Sequence, residues 1–430
     1  MGFKSIFLLV AAIFVLFSQV NATPDYCDTL KAGKLPDNDV PWRGDSVLED
    51  GKLAGGYFDA GDHVKFALPM AYSMTMLGWS FLEFETKIAG CGLTDLYLET
   101  IKFGTDWLIA AHEEDNKFAA QVGDGNVDHS YWGPPETMNV ARPVFYIDAD
   151  HPGTEVAMEA AAALSAASII FKDRDSAYST TCLEHAKKLH SFGDKFRGKY
   201  SDSVTNAVAF YNSWSGYKDD IVWGTLWLYK ATADEALLTK AKADYAEFGI
   251  GGMAQGNSHD WDLKAPGACL LMAKITGDDK YKTDIEAALN YWLPGGGITY
   301  TPGGMAWIRQ WGPARYAATS AFLAAVYGGD KYMDFSKKQI DYLLGENPKQ
   351  QSFVIGIGPN APKDAHHRAA HHSLTNDINN PVHNTYLLKG ALVGGPGNDD
   401  SYVDDRTDYI KNEVACDYNA GFVGVLAAHA

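Results

Sequence analysis

The chain has no run of lysine or arginine anywhere, and its 36 basic residues are outnumbered by 54 acidic ones, for a net charge of −18. A polyanion such as nucleic acid, or an acidic membrane face, would be repelled rather than steered in, so both are excluded as partners. The five cysteines contain no CxxC pair, which argues against a zinc cluster. After the N-terminus no segment reaches ~18 consecutive apolar residues, the length that marks a spanning helix. No Pro/Ser/Thr-rich linker divides the chain, and no convincing run of alternating strand residues occurs. What is present is ordinary globular stock, 46% hydrophobic and 21% charged.

Residues 1–22 read as a secretory signal. Lys4 supplies the charged start, Ile6 to Phe17 the apolar core, and Val20-Asn21-Ala22 the small-residue cleavage site. A core of about a dozen residues is too short to cross a ~30 Å hydrocarbon slab. Residues 23–430 are then expected to be a single exported, extracellular domain. An odd cysteine count in an oxidising compartment leaves at least one free or intermolecular thiol. Cys269 and Cys416 lie in apolar helical stretches and read as small buried residues.

Periodicity predicts helices at 24–33, 70–87, 93–113, 154–171, 180–196, 219–232, 235–249, 261–276, 280–293, 312–327, 332–345 and 411–429. Residues 297–300 are the one candidate for a small ribbon. Short connections alternate with mostly long ones along this series. In an up-and-down helical array alternate connections emerge at the same end, so the long loops share one face. Twelve helices with one elaborated face predict an all-α toroid of six helical hairpins, an (α/α)6 barrel. Cys27 and Cys91 both fall on the opposite face and are expected to pair, with Cys182 as the competing partner.

The long loops carry the chemistry. Residues 55–63 place Asp59 and Asp62 three apart among glycines, which lets two carboxylates converge on one solvent molecule; a calcium turn is the competing reading. At the far end Glu413 precedes an apolar helix, where it serves either as a cap or as a proton donor with raised pKa. Asp417, one turn further, reads as a structural hydrogen-bond acceptor. Tyr131, Trp132, Phe210, Tyr211, Trp214, Trp261, Trp307 and Trp311 crowd the same loops and suit flat contact with sugar rings. His366-His367-Arg368 and His371 could bind a metal, but Arg368 within the group favours a polyhydroxylated ligand.

Together these segments resemble glycoside hydrolase family 9, the inverting β-1,4-glucanases. The likeness rests on Gly55 through Lys65, on Gln121-Val-Gly-Asp-Gly with Asp128-His129 and Trp132-Gly133, and on Ser215-Gly216-Tyr217 with Trp223-Gly224. It continues through Trp311-Gly312 with Arg315-Tyr316-Ala317 and His366-His-Arg368, and closes on Asp404, Tyr409, Glu413 and Asn419-Ala420.

The resemblance implies an endo-acting cellulase with Asp62 as general base, Asp59 holding the water, and Glu413 as general acid. It implies that His366 and Arg368 donate to the sugar, that Tyr418 and Asp404 support the site, and that His129, Trp132, Phe210, Tyr211, Trp214, Trp311 and Arg315 line the cleft. Some members bind a structural calcium, which here would fall on Ser215, Gly216, Asp219, Asp220 and Asp262, with Asp220 in place of the usual Glu. The chemistry itself needs no cofactor, the partner is a β-1,4-glucan chain, and a monomer is expected. Relatives that cut from chain ends or act on another β-linked glycan, and a non-catalytic sugar-binding protein, are the alternatives.

Overall fold

The computed structural model describes residues 29–35 and 40–430; the N-terminal signal and Cys27 lie outside the described residues. Among the described residues eleven long helices follow one another. They are α1 Ala67–Gly90, α2 Thr94–Ala111, α3 Thr154–Phe171, α4 Ser176–Lys195, α5 Lys218–Thr232 and α6 Glu235–Phe248. The series continues with α7 Ala265–Thr276, α8 Asp279–Trp292, α9 Pro313–Tyr327, α10 Asp330–Leu343 and α11 Cys416–His429.

The odd-numbered helices form an inner ring in which each packs on the next and α11 closes on α1. The even-numbered helices each pack behind the inner helix that precedes them. Tight turns join inner to outer helices, and long connections return to the next inner one, so the long connections gather at one end of an (α/α)6 barrel.

Composition follows position in this double ring. Inner α3 is buried at every residue except Ile169, whereas outer α10 buries one stripe that includes Tyr332, Phe335, Ser336, Gln339, Ile340 and Leu343. Helix α3 is long and apolar enough to span a membrane, but 94% of it is buried inside the molecule. Closure of the ring depends on bare backbone in α11. A Cβ at Gly421 would lie 2.3 Å from Thr319 Oγ1, and one at Gly424 would lie 2.6 Å from a ring carbon of Phe322, both on α9.

Several boundaries differ from expectation for identifiable reasons. The first expected helix, 24–33, ends by Leu30 in the described part, because Lys31 bridges to Tyr57 and Gly33 to Ser46. Helix α4 starts at Ser176 because the Asp175 carboxylate caps the Tyr178 N–H at 3.0 Å. The expected helix 411–429 is interrupted: a turn at Tyr409–Asn412 is followed by extended Glu413, and α11 begins at Cys416.

Strands are also present. β1 (Lys65–Phe66), β2 (His112–Glu114), β3 (Lys117–Val122) and β4 (Val144–Asp148) form an antiparallel sheet in which β3 pairs with all three others. These strands are short, and β3 is buried almost continuously rather than alternately, so periodicity hides them. The expected ribbon is β5 (Thr299–Tyr300) paired with β6 (Ala306–Trp307). Cys91 and Cys182 are free thiols, so neither expected partner of Cys27 is bridged; Cys269 is free as well, and Cys416 is half-buried at the start of α11.

The ring also encloses charge. Lys264, fully buried, donates from Nζ to the Trp261 carbonyl and lies 3.3 Å from Asp220 and 3.6 Å from Glu159. Burial opposes its charge, but Asp220, Glu159, Asp219 and Asp260 outweigh that and raise its pKa. Removing one member of a buried ion cluster leaves the others uncompensated, typically at about 3–5 kcal/mol. Lys264→Met is therefore expected to lower unfolding stability by about that amount. Urea denaturation of the two proteins would show it, and equal midpoints would refute the assignment.

Candidate active site

The loop before β1 places Asp59 and Asp62 on the long-connection face. Gly61 lies between them because the chain passes directly against residues 366 and 367: a Cβ there would lie 2.2 Å from the His366 carbonyl. The Arg368 N–H donates to the Gly61 carbonyl at 3.0 Å, and the Cys416 N–H to the Asp59 carbonyl at 2.9 Å. His366 in turn pairs with Glu413 in a parallel bridge. Backbone hydrogen bonds thus draw three segments, distant in sequence, onto one site.

All three carboxyl groups are held above the ordinary carboxylate range. Asp59 and Asp62 are each 6% exposed. Burial pushes Asp59 well up, and the neighbouring charge of Asp62 adds to the effect. The Tyr211 hydroxyl opposes it by donating to Asp59 Oδ2 at 2.5 Å. Asp59 Oδ1 has no protein donor. Asp62 accepts the Ala60 N–H at 3.2 Å and is pushed up to about 7, by burial first and by Asp128 next, with Arg368 pulling down.

Glu413 accepts from Trp311 Nε1 at 3.0 Å and from the Tyr418 hydroxyl at 3.2 Å. Burial raises its pKa, and Asp62 lies near enough to contribute. Such an arrangement keeps a proton available on one carboxyl while two others face it.

The remaining expected residues divide into open faces and internal braces. Trp214 is 65% and Trp311 47% exposed, so both present flat rings to solvent. Trp214 leans on Trp261, which packs edge-on against Tyr211 at 4.7 Å. His129 stands half-open beside Phe210, its Nδ1–H donating to the Gly125 carbonyl at 2.7 Å.

Trp132 is a brace: its Nε1 donates to His371 Nδ1 at 2.7 Å, and the Arg368 guanidinium lies 4.9 Å over its ring. Arg315 is 9% exposed and engaged with Asp417 at 2.7 Å and the Tyr316 hydroxyl at 2.6 Å. Asp417 thus accepts a structural hydrogen bond, as expected of it. Tyr418 is buried except through its contact with Glu413. Asp404 is exposed and accepts the backbone N–H groups of Lys363 at 2.8 Å and Asp364 at 3.1 Å, which pins the loop leading to His366.

The histidine group separates in the same way. His366 donates from Nδ1 to the Arg406 carbonyl at 2.8 Å, and burial holds its pKa down at about 4. His367 caps the Ala370 N–H, and His371 bonds Trp132 and the Pro381 carbonyl, so both imidazoles are structural. Asp128 stood in the sequence as part of a motif but without a role: it is 1% exposed and accepts the His63 N–H at 3.2 Å. Atoms of Asp62, Asp128 and His129 lie within 4.8 Å of one another.

The residues expected around calcium are partly engaged with one another and partly with Lys264. Asp262 accepts from the Trp214 and Ser215 N–H groups at 3.0 and 3.1 Å, and the Ser215 hydroxyl bonds the Asp262 carbonyl. Asp219 accepts the Lys264 N–H, and Asp220 faces the Lys264 ammonium. Among the described residues Asp219, Asp220 and Asp262 do not converge as Asp62, Asp128 and His129 do. Asp219 Oδ1 and both carboxylate oxygens of Asp220 are buried without a hydrogen-bond partner among the described residues, and calcium enters no step below.

Comparison with known proteins places this geometry. The chain is 66% identical over 450 residues to an endoglucanase of Dictyostelium discoideum, covering 99% of this chain and 64% of that protein. It is 48% identical over 431 residues to endoglucanase A of Bacillus pumilus, covering 94% of this chain and again 64% of the relative. The chain thus spans less than two thirds of the length of these relatives. The endoglucanase of the termite Nasutitermes takasagoensis superposes with a TM-score of 0.91 at 43% identity, covering 96% of this chain and 98% of that one. The family profile "Glycosyl hydrolase family 9" matches residues 23–426. The chain belongs to glycosyl hydrolase family 9.

Proposed function

We propose that this chain is a secreted endo-β-1,4-glucanase that hydrolyses internal bonds of cellulose and related β-glucans with inversion at the anomeric carbon. The observation that carries the reading is the convergence of Asp59, Asp62 and Glu413 on the face where the long connections gather. Its relatives in Dictyostelium and Bacillus are named endoglucanases, and their activity supports the same assignment here.

A glucan chain lies along the loop face with rings on Trp214 and Trp311. Glu413, whose proton affinity burial raises, gives its proton to the departing glycosidic oxygen. Asp62, ionised, takes a proton from the water that attacks the opposite face of the ring. Asp59 helps hold that water through Oδ1, while Tyr211 fixes its other oxygen. The Trp311 and Tyr418 donors stabilise Glu413 as it becomes anionic, so the transition state gains hydrogen-bond strength that the neutral acid lacks. His366 and Arg368 donate to the sugar beside the cleaved bond. The protein acts outside the cell as a monomer.

The roles fix the sign of the pH dependence. Activity rises with pH as Asp62 loses its proton and falls as Glu413 loses its own. Both groups sit above their ordinary ranges, so both limbs of the kcat/KM profile are displaced upward from those of exposed carboxyls. Glu413→Gln and Asp62→Asn are each expected to lose at least about two orders of magnitude in kcat on soluble β-glucan while keeping a native circular-dichroism spectrum. Near-normal turnover by either folded variant rejects its role. Trp214→Ala is expected to raise KM roughly fivefold with kcat little changed, the loss of one stacking contact of about 1 kcal/mol. NMR of the first product should show the α-anomer; a β-anomer would contradict inversion.

A further inference from the structure

Asp128 carries a charge that the reaction as described leaves unused. It lies in the helical turn Gly125–His129, whose first N–H groups are capped by the Asp124 carboxylate. The turn sends Asp128 inward, to 1% exposure, and leaves the His129 side chain 42% open. Its carboxylate accepts the His63 N–H through both oxygens, at 3.2 and 3.4 Å, and stands 3.7 Å from His63 Nδ1. It therefore sits against the residue that follows Asp62 in the chain.

Arg368 brings a full positive charge to both carboxylates. Its Nη1 is 3.9 Å from Asp128 Oδ2, and its Nε is fixed on the Tyr131 carbonyl at 2.8 Å. One guanidinium thus serves two buried carboxylates whose atoms approach within 4.8 Å. The other groups around Asp62 are Asp59 and His63 on its own loop, His129 beside Asp128, His366 and His367 beside Arg368, and Glu413 and Asp417 from the approach to α11. His63, His129, His366 and His367 are all held below their usual range and are neutral near pH 7. Asp59, Glu413 and Asp417 are raised.

We infer that Asp128 is a positioning residue for the general base. Locked in place by the His63 amide, it repels the Asp62 charge, divides Arg368 with it, and so strengthens Asp62 as a proton acceptor. The inference rests on the reading of Asp62 as the base. Like charges a few ångströms apart in a water-poor site oppose each other's ionisation, and a base of higher proton affinity abstracts a proton from water more readily. Asp128 acts through Asp62 and touches no reacting atom.

Asp128→Asn tests this, because the amide oxygen still accepts the His63 N–H while the charge is gone. The acidic limb of the kcat/KM profile is expected to move down by about one pH unit. The plateau kcat is expected to fall severalfold, with KM nearly unchanged. A purely structural role would lower activity at every pH and leave the limb where it was. That outcome in a folded variant overturns the inference.

A second measurement uses the wild-type protein. With 13C-labelled aspartate carboxyls, the Asp128 signal should show an inflection at the pH of the acidic limb that vanishes in Asp62→Asn. Absence of the inflection overturns the inference whether or not Asp128→Asn folds. An Asp62→Asn enzyme that still turns over rejects the base assignment instead, so the two failures are distinguishable.

Discussion

Everything at the site depends on a set of backbone hydrogen bonds that join three remote segments. The Cys416 N–H reaches the Asp59 carbonyl, the Arg368 N–H reaches the Gly61 carbonyl, and the His366 N–H reaches the Asn412 carbonyl at 2.9 Å. Between them these contacts hold the loop of Asp59 and Asp62, the segment of His366 and Arg368, and the approach to α11 that carries Glu413. They also explain why Glu413 is extended rather than helical, since a helix through residue 413 could not bridge to His366. The ring of inner helices supports them by closing α11 onto α1, the helix that follows the Asp59 loop through β1.

With the segments held, burial does the chemical work. The same loss of water that raises Asp59, Asp62 and Glu413 also keeps the imidazoles of His63, His366 and His367 neutral. The donors are distributed unevenly. Tyr211 serves Asp59, and Trp311 and Tyr418 serve Glu413, while Asp62 accepts from backbone amides, that of Ala60 among them. A carboxyl with several donors is favoured as an anion, and one with few donors beside like charge is favoured as a proton acceptor. Opposite the cleft carboxyls, deeper in the barrel, Lys264 balances Asp220 and Glu159. That charge belongs to the scaffold.

Much of the architecture was legible because it depends on local periodicity and on connection length. Fully apolar α3 and one-sided α10 announce inner and outer positions, and the alternation of tight and long connections places the loops on one face. The short sheet of β1 to β4 was not legible, since strands of two to six residues are brief and β3, the longest, is buried almost continuously and leaves no alternating signal. The disulfide expectation failed for a related reason. Sharing a face of the ring sets no distance between two sulfurs, and Cys91 and Cys182 remain free.

The amino-acid order alone determined which residue types gather at the loops: paired aspartates among glycines, a glutamate ahead of an apolar helix, and aromatic side chains between. Those features are local and survive without coordinates. Which of them face the cleft and which brace it was decided by tertiary packing. Trp132 and Trp214 are both loop tryptophans, yet one is locked between His371 and Arg368 and the other lies open. The Arg315 guanidinium is fixed by Asp417, the second residue of α11, at 2.7 Å. Asp128 stood in the sequence as part of a motif but without a role, because its effect depends on how close its charge lies to another carboxylate. That distance exists only once the 125–129 turn has packed against the loop of Asp62.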